Sequence, residues 1–122
     1  MNHNPNFLAR VNQARRVIRE CTVDELIQAR NECKSFTLID VREESEFSAG
    51  HIPGAVHLSK GVIERDIESA ISGQDERLVL YCGGGYRSAI AAESLVAMGY
   101  TNVTSMDGGW RGWLDAEQPV ER

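Results

Sequence analysis

Apolar and polar positions along the chain repeat with two different periods. Short runs of aliphatic residues alternate with longer stretches in which apolar residues recur every three or four positions. Phe36-Thr37-Leu38-Ile39-Asp40-Val41 and Arg77 to Tyr81 are brief and rich in Leu, Ile and Val, as parallel strands covered on both faces are. Val56-His57-Leu58 and Asn102 to Met106 predict two more strands, and Val17 to Cys21, alternating apolar with charged residues, a short first one.

The helical period lies between them. Phe7, Leu8, Val11, Ala14 and Ile18 predict an amphipathic helix over about residues 6 to 16, read as a clasp on the outside of the domain rather than part of a site. Thr22-Val23-Asp24-Glu25 has the form of a capping box, opening a helix that ends near Cys33. Val62, Ile63, Ile67, Ala70 and Ile71 mark another helix, stopped by Gly73. A helix from about Ser88 to Met98 is apolar nearly all round and so deeply buried. Trp110, Trp113 and Leu114 begin a last short one, with both tryptophans expected in the core. Arg42 to Ala55, with two glycines and a proline, predicts a structured turn rather than a regular element. Strands separated by helices imply an α/β fold with a parallel sheet and helices on both faces. The expected division is an N-terminal helical extension over 1–16 and one domain over 17–122.

Charge and composition narrow the function. Thirteen basic against eighteen acidic residues give a net charge of −5, which disfavours nucleic acid as a partner. No apolar stretch reaches the roughly 18 residues of a membrane span, and the start of the chain, Met1 to Asn6, is polar. Cys21, Cys33 and Cys82 are sparse, odd in number and without C-x-x-C spacing. That pattern suggests neither metal nor disulfide scaffold and fits a reducing, cytoplasmic setting. Cys21 and Cys33 default to packing residues, with little weight for a resolving role of Cys33.

The chemistry concentrates at Tyr81-Cys82-Gly83-Gly84-Gly85-Tyr86-Arg87-Ser88. A strand runs into a cysteine, three glycines let the backbone curl, an arginine closes the curl and a helix begins. In open parallel sheets ligands bind beyond the carboxyl ends of the strands, where Cys82 lies. Inward-pointing N–H groups of the loop, the positive end of the helix and Arg87 all favour a thiolate at Cys82. No histidine adjoins it, so the loop suits a reaction needing little proton transfer, such as attack on a sulfur–sulfur bond. Tyr86, at the loop tip, lines the entrance.

Two stretches resemble the rhodanese (thiosulfate sulfurtransferase) family in its single-domain form. One runs from Asp40-Val41-Arg42-Glu43 through Glu46-Phe47 to Gly50-His51-Ile52-Pro53-Gly54-Ala55. The other is the cysteine loop, continuing to Gly99-Tyr100 and Asp107-Gly108-Gly109-Trp110. The resemblance covers about residues 17 to 118 and implies a rhodanese-like three-layer fold with a five-stranded parallel sheet, plus the extra N-terminal helix. It implies a persulfide on Cys82 and loop amides of Gly83, Gly84, Gly85, Tyr86 and Arg87 around the charge. Arg87 is read as holding an anionic donor, and Asp40, Arg42 and Ser88 as structural support. His51 is read as structural, and His57 carries no usable signal. The implied partners are a small anionic sulfur donor such as thiosulfate, a thiol or cyanide acceptor and a sulfur-relay protein; no cofactor and no metal are implied.

Other readings compete. A sulfur-carrier module active only with a partner protein would share the same loop. Cysteine-dependent phosphatases place five residues between cysteine and arginine, whereas four separate Cys82 from Arg87, and no aspartic general acid adjoins the loop. Gly83-x-Gly85-x-x-Ser88 approaches a dinucleotide fingerprint but lacks its third glycine, and no Gly-Lys-Ser/Thr follows to make a phosphate loop.

Overall fold

The computed structural model describes residues 3–122; Met1 and Asn2, the first two residues of the expected extension, lie outside them. The elements in order are α1 (Pro5–Arg15), β1 (Arg19–Cys21), α2 (Val23–Asn31), β2 (Thr37–Asp40), α3 (Glu44–Ala49), β3 (Val56–His57), α4 (Ile63–Ala70), β4 (Leu78–Tyr81), α5 (Tyr86–Ala97), β5 (Val103–Met106) and α6 (Gly109–Asp115). The five strands form one sheet in the order β1-β5-β4-β2-β3, with every pairing parallel. Each strand therefore returns through a helix, and the sheet is covered on both faces, as the sequence pattern implies.

Alternation along β4 divides the core. Leu78, Leu80 and Cys82 join Ile39, Ile63, Ile67, Ala92 and Leu95 on the face covered by α4 and α5. Val79 and Tyr81 join Leu38, Leu26, Ile52, Met106 and Trp113 on the face covered by α2 and α6. The helix α1 forms an outer layer, placing Val11 and Ala14 against Ala89 of α5. This second contact explains why α5 reads as apolar nearly all round: the sheet buries Ala91, Ala92 and Leu95, and α1 buries Ala89. Val96 remains exposed.

Several boundaries differ from the sequence reading, four of them with a plain physical reason. β1 begins at Arg19 rather than Val17, because α1 and its terminal turn carry the chain past Val17, which is exposed. α4 ends at Ala70 because Ile71 is already extended, two residues before Gly73. α5 starts at Tyr86, not Ser88, which brings its positive end two residues nearer the cysteine. Within Arg42–Ala55, expected as a turn, Glu44–Ala49 is the helix α3, opened by a capping box in which Glu46 returns to the Glu43 N–H. None of its residues is buried, so it gives no apolar period to read.

Candidate active site at the end of the central strand

Cys82 follows directly on β4, the middle strand of the sheet, and is 1% exposed. The turn after it is shaped by α6. Trp110 N–H donates to Cys82 O (2.7 Å), Arg111 N–H to Gly83 O (3.0 Å) and Gly108 N–H to Gly84 O (3.2 Å). With their carbonyls turned toward α6, the loop peptides direct N–H groups to the other side. Two glycines make this possible. Gly85 has φ +102°, and a Cβ there would lie 3.1 Å from the Asp107 backbone. At Gly109, φ +51°, a Cβ would run into the Cys82 carbonyl.

The cysteine sulfur lies inside that curl. Gly85 N–H donates to Cys82 Sγ at 3.1 Å and Ser88 N–H at 3.3 Å. The second donor belongs to the first turn of α5, whose amides have no intrahelical partner and carry the positive end of the helix. Ser88 Oγ is 3.5 Å from the same sulfur and 2.8 Å from Ser105 Oγ. Both serines are fully buried. Of the amides expected around the thiol, then, Gly85 N–H reaches it directly, while Ser88, read only as support, supplies the second donor. Gly83, Gly84, Tyr86 and Arg87 frame the mouth. Ser105 went unrecognised in the sequence; its one signal is a hydroxyl among the buried residues of a strand.

Arg87 stands at the rim, but its guanidinium is engaged. Nη1 and Nη2 donate to the two carboxylate oxygens of Glu46 at 2.8 and 3.1 Å. The pair holds the Glu46 carboxyl down to about 2. Glu46 sits on α3, the helix the sequence pattern does not reveal, and 41 residues before Arg87. A second arginine, Arg111 on α6, lies over the loop: a Cβ on Gly84 would collide with its guanidinium, and one on Gly83 would lie 3.6 Å from it. Arg111 is exposed and, among the described residues, pairs with no carboxylate. Sequence reasoning missed it, because only the docking of α6 brings it to the loop.

These groups enclose a cleft of about 340 Å³ whose lining includes Cys82, Arg87, Arg111, Tyr86, His3 and Phe7. The N-terminal segment is thus not confined to the outside of the domain. It is anchored there by the apolar face of α1, and the extended residues before that helix carry His3 over the site.

Asp40 and Arg42 lie under the adjoining loop. Arg42 Nη2 donates to Asp40 Oδ2 (2.8 Å) and to Gly50 O (2.7 Å), with Asp40 0% and Arg42 3% exposed. The Arg42 guanidinium also covers the Trp110 ring, 4.7 Å from its centre, and so reaches the helix that holds the cysteine loop. His51 is buried, stacked on Phe47 at 3.7 Å, and bonded to Phe47 O and Glu121. His57 Nε2 lies 2.8 Å from Arg42 O. Tyr81 accepts from Ile52 N–H, and burial pushes its hydroxyl well above the usual phenol range.

A cleft of about 380 Å³ between α2 and the sheet contains Cys21. Burial, followed by the charge of Glu25, pushes that thiol up to about 11. Cys33 is exposed. Among the described residues no group of His, Cys, Asp and Glu is arranged to hold a metal ion, and no helix is long and apolar enough to cross a membrane.

Comparison with known proteins bears on this geometry. The family model "Rhodanese-like domain" matches residues 22–116. Thiosulfate sulfurtransferase GlpE of Shewanella oneidensis is 35% identical over 98 residues, covering 80% of this chain and 94% of that protein. The candidate sulfur carrier protein YrkF of Bacillus subtilis is 29% identical over 79% of this chain, which spans about half (51%) of YrkF. Among solved structures, a protein of unknown function from Rhodopseudomonas palustris, described as a possible tyrosine phosphatase, superposes with TM-score 0.84 at 28% identity, covering 99% of this chain and 98% of that one. A rhodanese-like domain protein from Staphylococcus aureus gives 0.72 at 31% identity, over 79% and 91%.

Proposed function

The chain belongs to the rhodanese-like domain family, and from that premise we propose that it moves a sulfane sulfur through a persulfide on Cys82. Sulfur transfer is supported at the level of the family by the GlpE relatives. For this chain the reading rests chiefly on one observation: Cys82 Sγ receives N–H groups from Gly85 and Ser88 inside a loop of four residues. Those donors suit an anionic sulfur, and they need no general base.

In the first step the Cys82 thiolate attacks the outer sulfur of thiosulfate. A sulfur–sulfur bond forms as the one in thiosulfate breaks, leaving sulfite with the electron pair. In the second a thiolate or cyanide takes the terminal sulfur and the Cys82 thiolate departs. The N–H groups of Gly83, Gly84, Tyr86 and Arg87 have no backbone acceptor among the described residues and are assigned to the terminal persulfide sulfur. Arg111, rather than Arg87 alone, is assigned to the departing sulfonyl group, since Glu46 already occupies the Arg87 fork. Asp40 and Arg42 act as support, Ser88 gives its N–H to the Cys82 sulfur, and the chemistry asks for no cofactor. A reducing compartment such as the cytoplasm would keep Cys82 as thiol.

The test is incubation with thiosulfate followed by intact mass measurement. One added sulfur atom, removed by cyanide and absent in Cys82→Ala, is expected; no adduct with several donors would overturn the proposal. The likeness to YrkF favours a second reading, a carrier that accepts sulfur stoichiometrically and turns over only with a partner protein. Adduct formation without turnover, relieved by adding a sulfur-relay protein, would select it. Hydrolysis of an aryl phosphate that depends on Cys82 would instead favour phosphatase chemistry.

A further inference from the structure

Three aromatic rings from two distant parts of the chain meet at the mouth of the Cys82 cleft. His3 and Tyr86 have ring centres 4.4 Å apart, His3 and Phe7 5.3 Å, and Phe7 and Tyr86 6.3 Å, all tilted. Arg15 lies over the Tyr86 ring at 5.1 Å from its centre, and its Nη2 reaches Asp107 at 3.4 Å, tying the wall to the turn before α6. All three rings are half-buried, and each lines the cleft. His3 and Phe7 lie outside the stretch matched by the family model, so this wall is built by a segment the family core does not include.

The ring faces of such a wall offer little to thiosulfate. A small hydrated anion gains from arginine and amide donors, and bringing it against apolar surface only removes water from it. The cleft, at about 340 Å³, is also of the size that holds a small organic ligand. Cationic donors at one part of the lining and aromatic faces at another match a molecule with an anionic sulfur group attached to a flat apolar group.

Resting on the sulfur-transfer reading above, we propose that His3, Phe7 and Tyr86 form a specificity wall selecting sulfur donors that carry an aromatic substituent, of the organic thiosulfonate class. The Cys82 thiolate attacks the terminal sulfur of the donor, the sulfur–sulfur bond of the thiosulfonate breaks, and an aryl sulfinate leaves with the electron pair. The product on the protein is the same persulfide that thiosulfate would give. Arg111 faces the sulfonyl oxygens, and the aryl ring stacks against the wall.

The experiment measures the single-turnover rate of Cys82 persulfide formation by mass, with sodium benzenethiosulfonate and sodium methanethiosulfonate as probes. Because the two donors differ in intrinsic reactivity, the quantity compared is their rate ratio in the wild-type protein and in variants. Offset aromatic contact predicts that Phe7→Ala lowers the benzene-to-methane ratio about three- to tenfold. His3→Ala, which precedes α1 and removes nothing from its packed face, lowers it in the same direction; the pair of variants guards against loss of α1 docking in Phe7→Ala alone. An unchanged ratio in both variants, with persulfide still forming, would overturn the specificity wall and leave sulfur transfer standing. Failure of every donor, thiosulfate included, to modify wild-type Cys82 would overturn both.

Discussion

Replacing Glu46 by Gln tests how the rim of the cleft is held together. The carboxylate accepts both guanidinium nitrogens of Arg87, and its Oε1 also accepts the Glu43 N–H that starts α3. Hydrogen bonding from Arg87 is the largest cause of its depressed pKa, from 4.5 to about 2. In a pair shielded from water a depression of that size would correspond to roughly 3 kcal/mol. Here the two side chains are 33% and 36% exposed, and exposed pairs give far less, so about 1 kcal/mol is the expected cost of Glu46→Gln at pH 7. The sign follows from the depressed folded-state value. The carboxylate stabilises the fold in full above the unfolded pKa near 4.5, and that contribution is lost as pH falls toward about 2. Urea unfolding followed by tryptophan fluorescence would show a midpoint lowered by about 0.5 M at pH 7 with the same slope. The gap between the two proteins should shrink between pH 4.5 and 2. A gap of the same size at pH 7 and pH 2.5, or none at pH 7, would refute the ion pair as the cause.

Arg111→Ala is expected to slow thiosulfate-dependent persulfide formation about fivefold, as the loss of one exposed charge on a bound anion implies, and to flatten its dependence on salt; stopped mass sampling at two ionic strengths checks this. Ser88→Ala leaves the buried Ser105 hydroxyl without its partner and should cost about 1–3 kcal/mol in urea unfolding, whereas adding Ser105→Ala should cost less than the sum of the single changes. Gly85→Ala forces a Cβ into a left-handed position 3.1 Å from the Asp107 backbone, and should lose at least about 1–3 kcal/mol in stability together with the N–H bond to Cys82 Sγ. Thermal unfolding and the rate of thiosulfate labelling would register both losses.

The apolar runs of β2 and β4 and the capping box at Thr22 were plain in the sequence because each is a local pattern enforced by burial or by a hydrogen bond three residues away. So was the cysteine loop, since cysteine, glycines and arginine are contiguous. The partners that complete it were not. Glu46 comes from a helix with no buried face, and Arg111 from a helix whose docking depends on β5 pairing beside β4. His3 and Phe7 reach the cleft because α1 packs along α5, which an amphipathic pattern announces without saying against what. The order β1-β5-β4-β2-β3 is what brings these separate stretches to one strand end, and the periodicity of single elements does not contain it.

The bonds from Trp110, Arg111 and Gly108 to the carbonyls of residues 82 to 84 give the cradle a place in time as well as in space. A growing chain that has been made only as far as residue 100 already carries the cysteine and every glycine of its loop. It lacks the amides that turn those carbonyls away, and the strand that seats them. Until the last helix arrives, the Cys82 loop lies on an unfinished sheet edge. The shape of the loop around its sulfur is therefore completed late, by residues more than twenty positions further on, and a chain interrupted before them would keep Cys82 and its glycines and lose the bonds that hold their carbonyls.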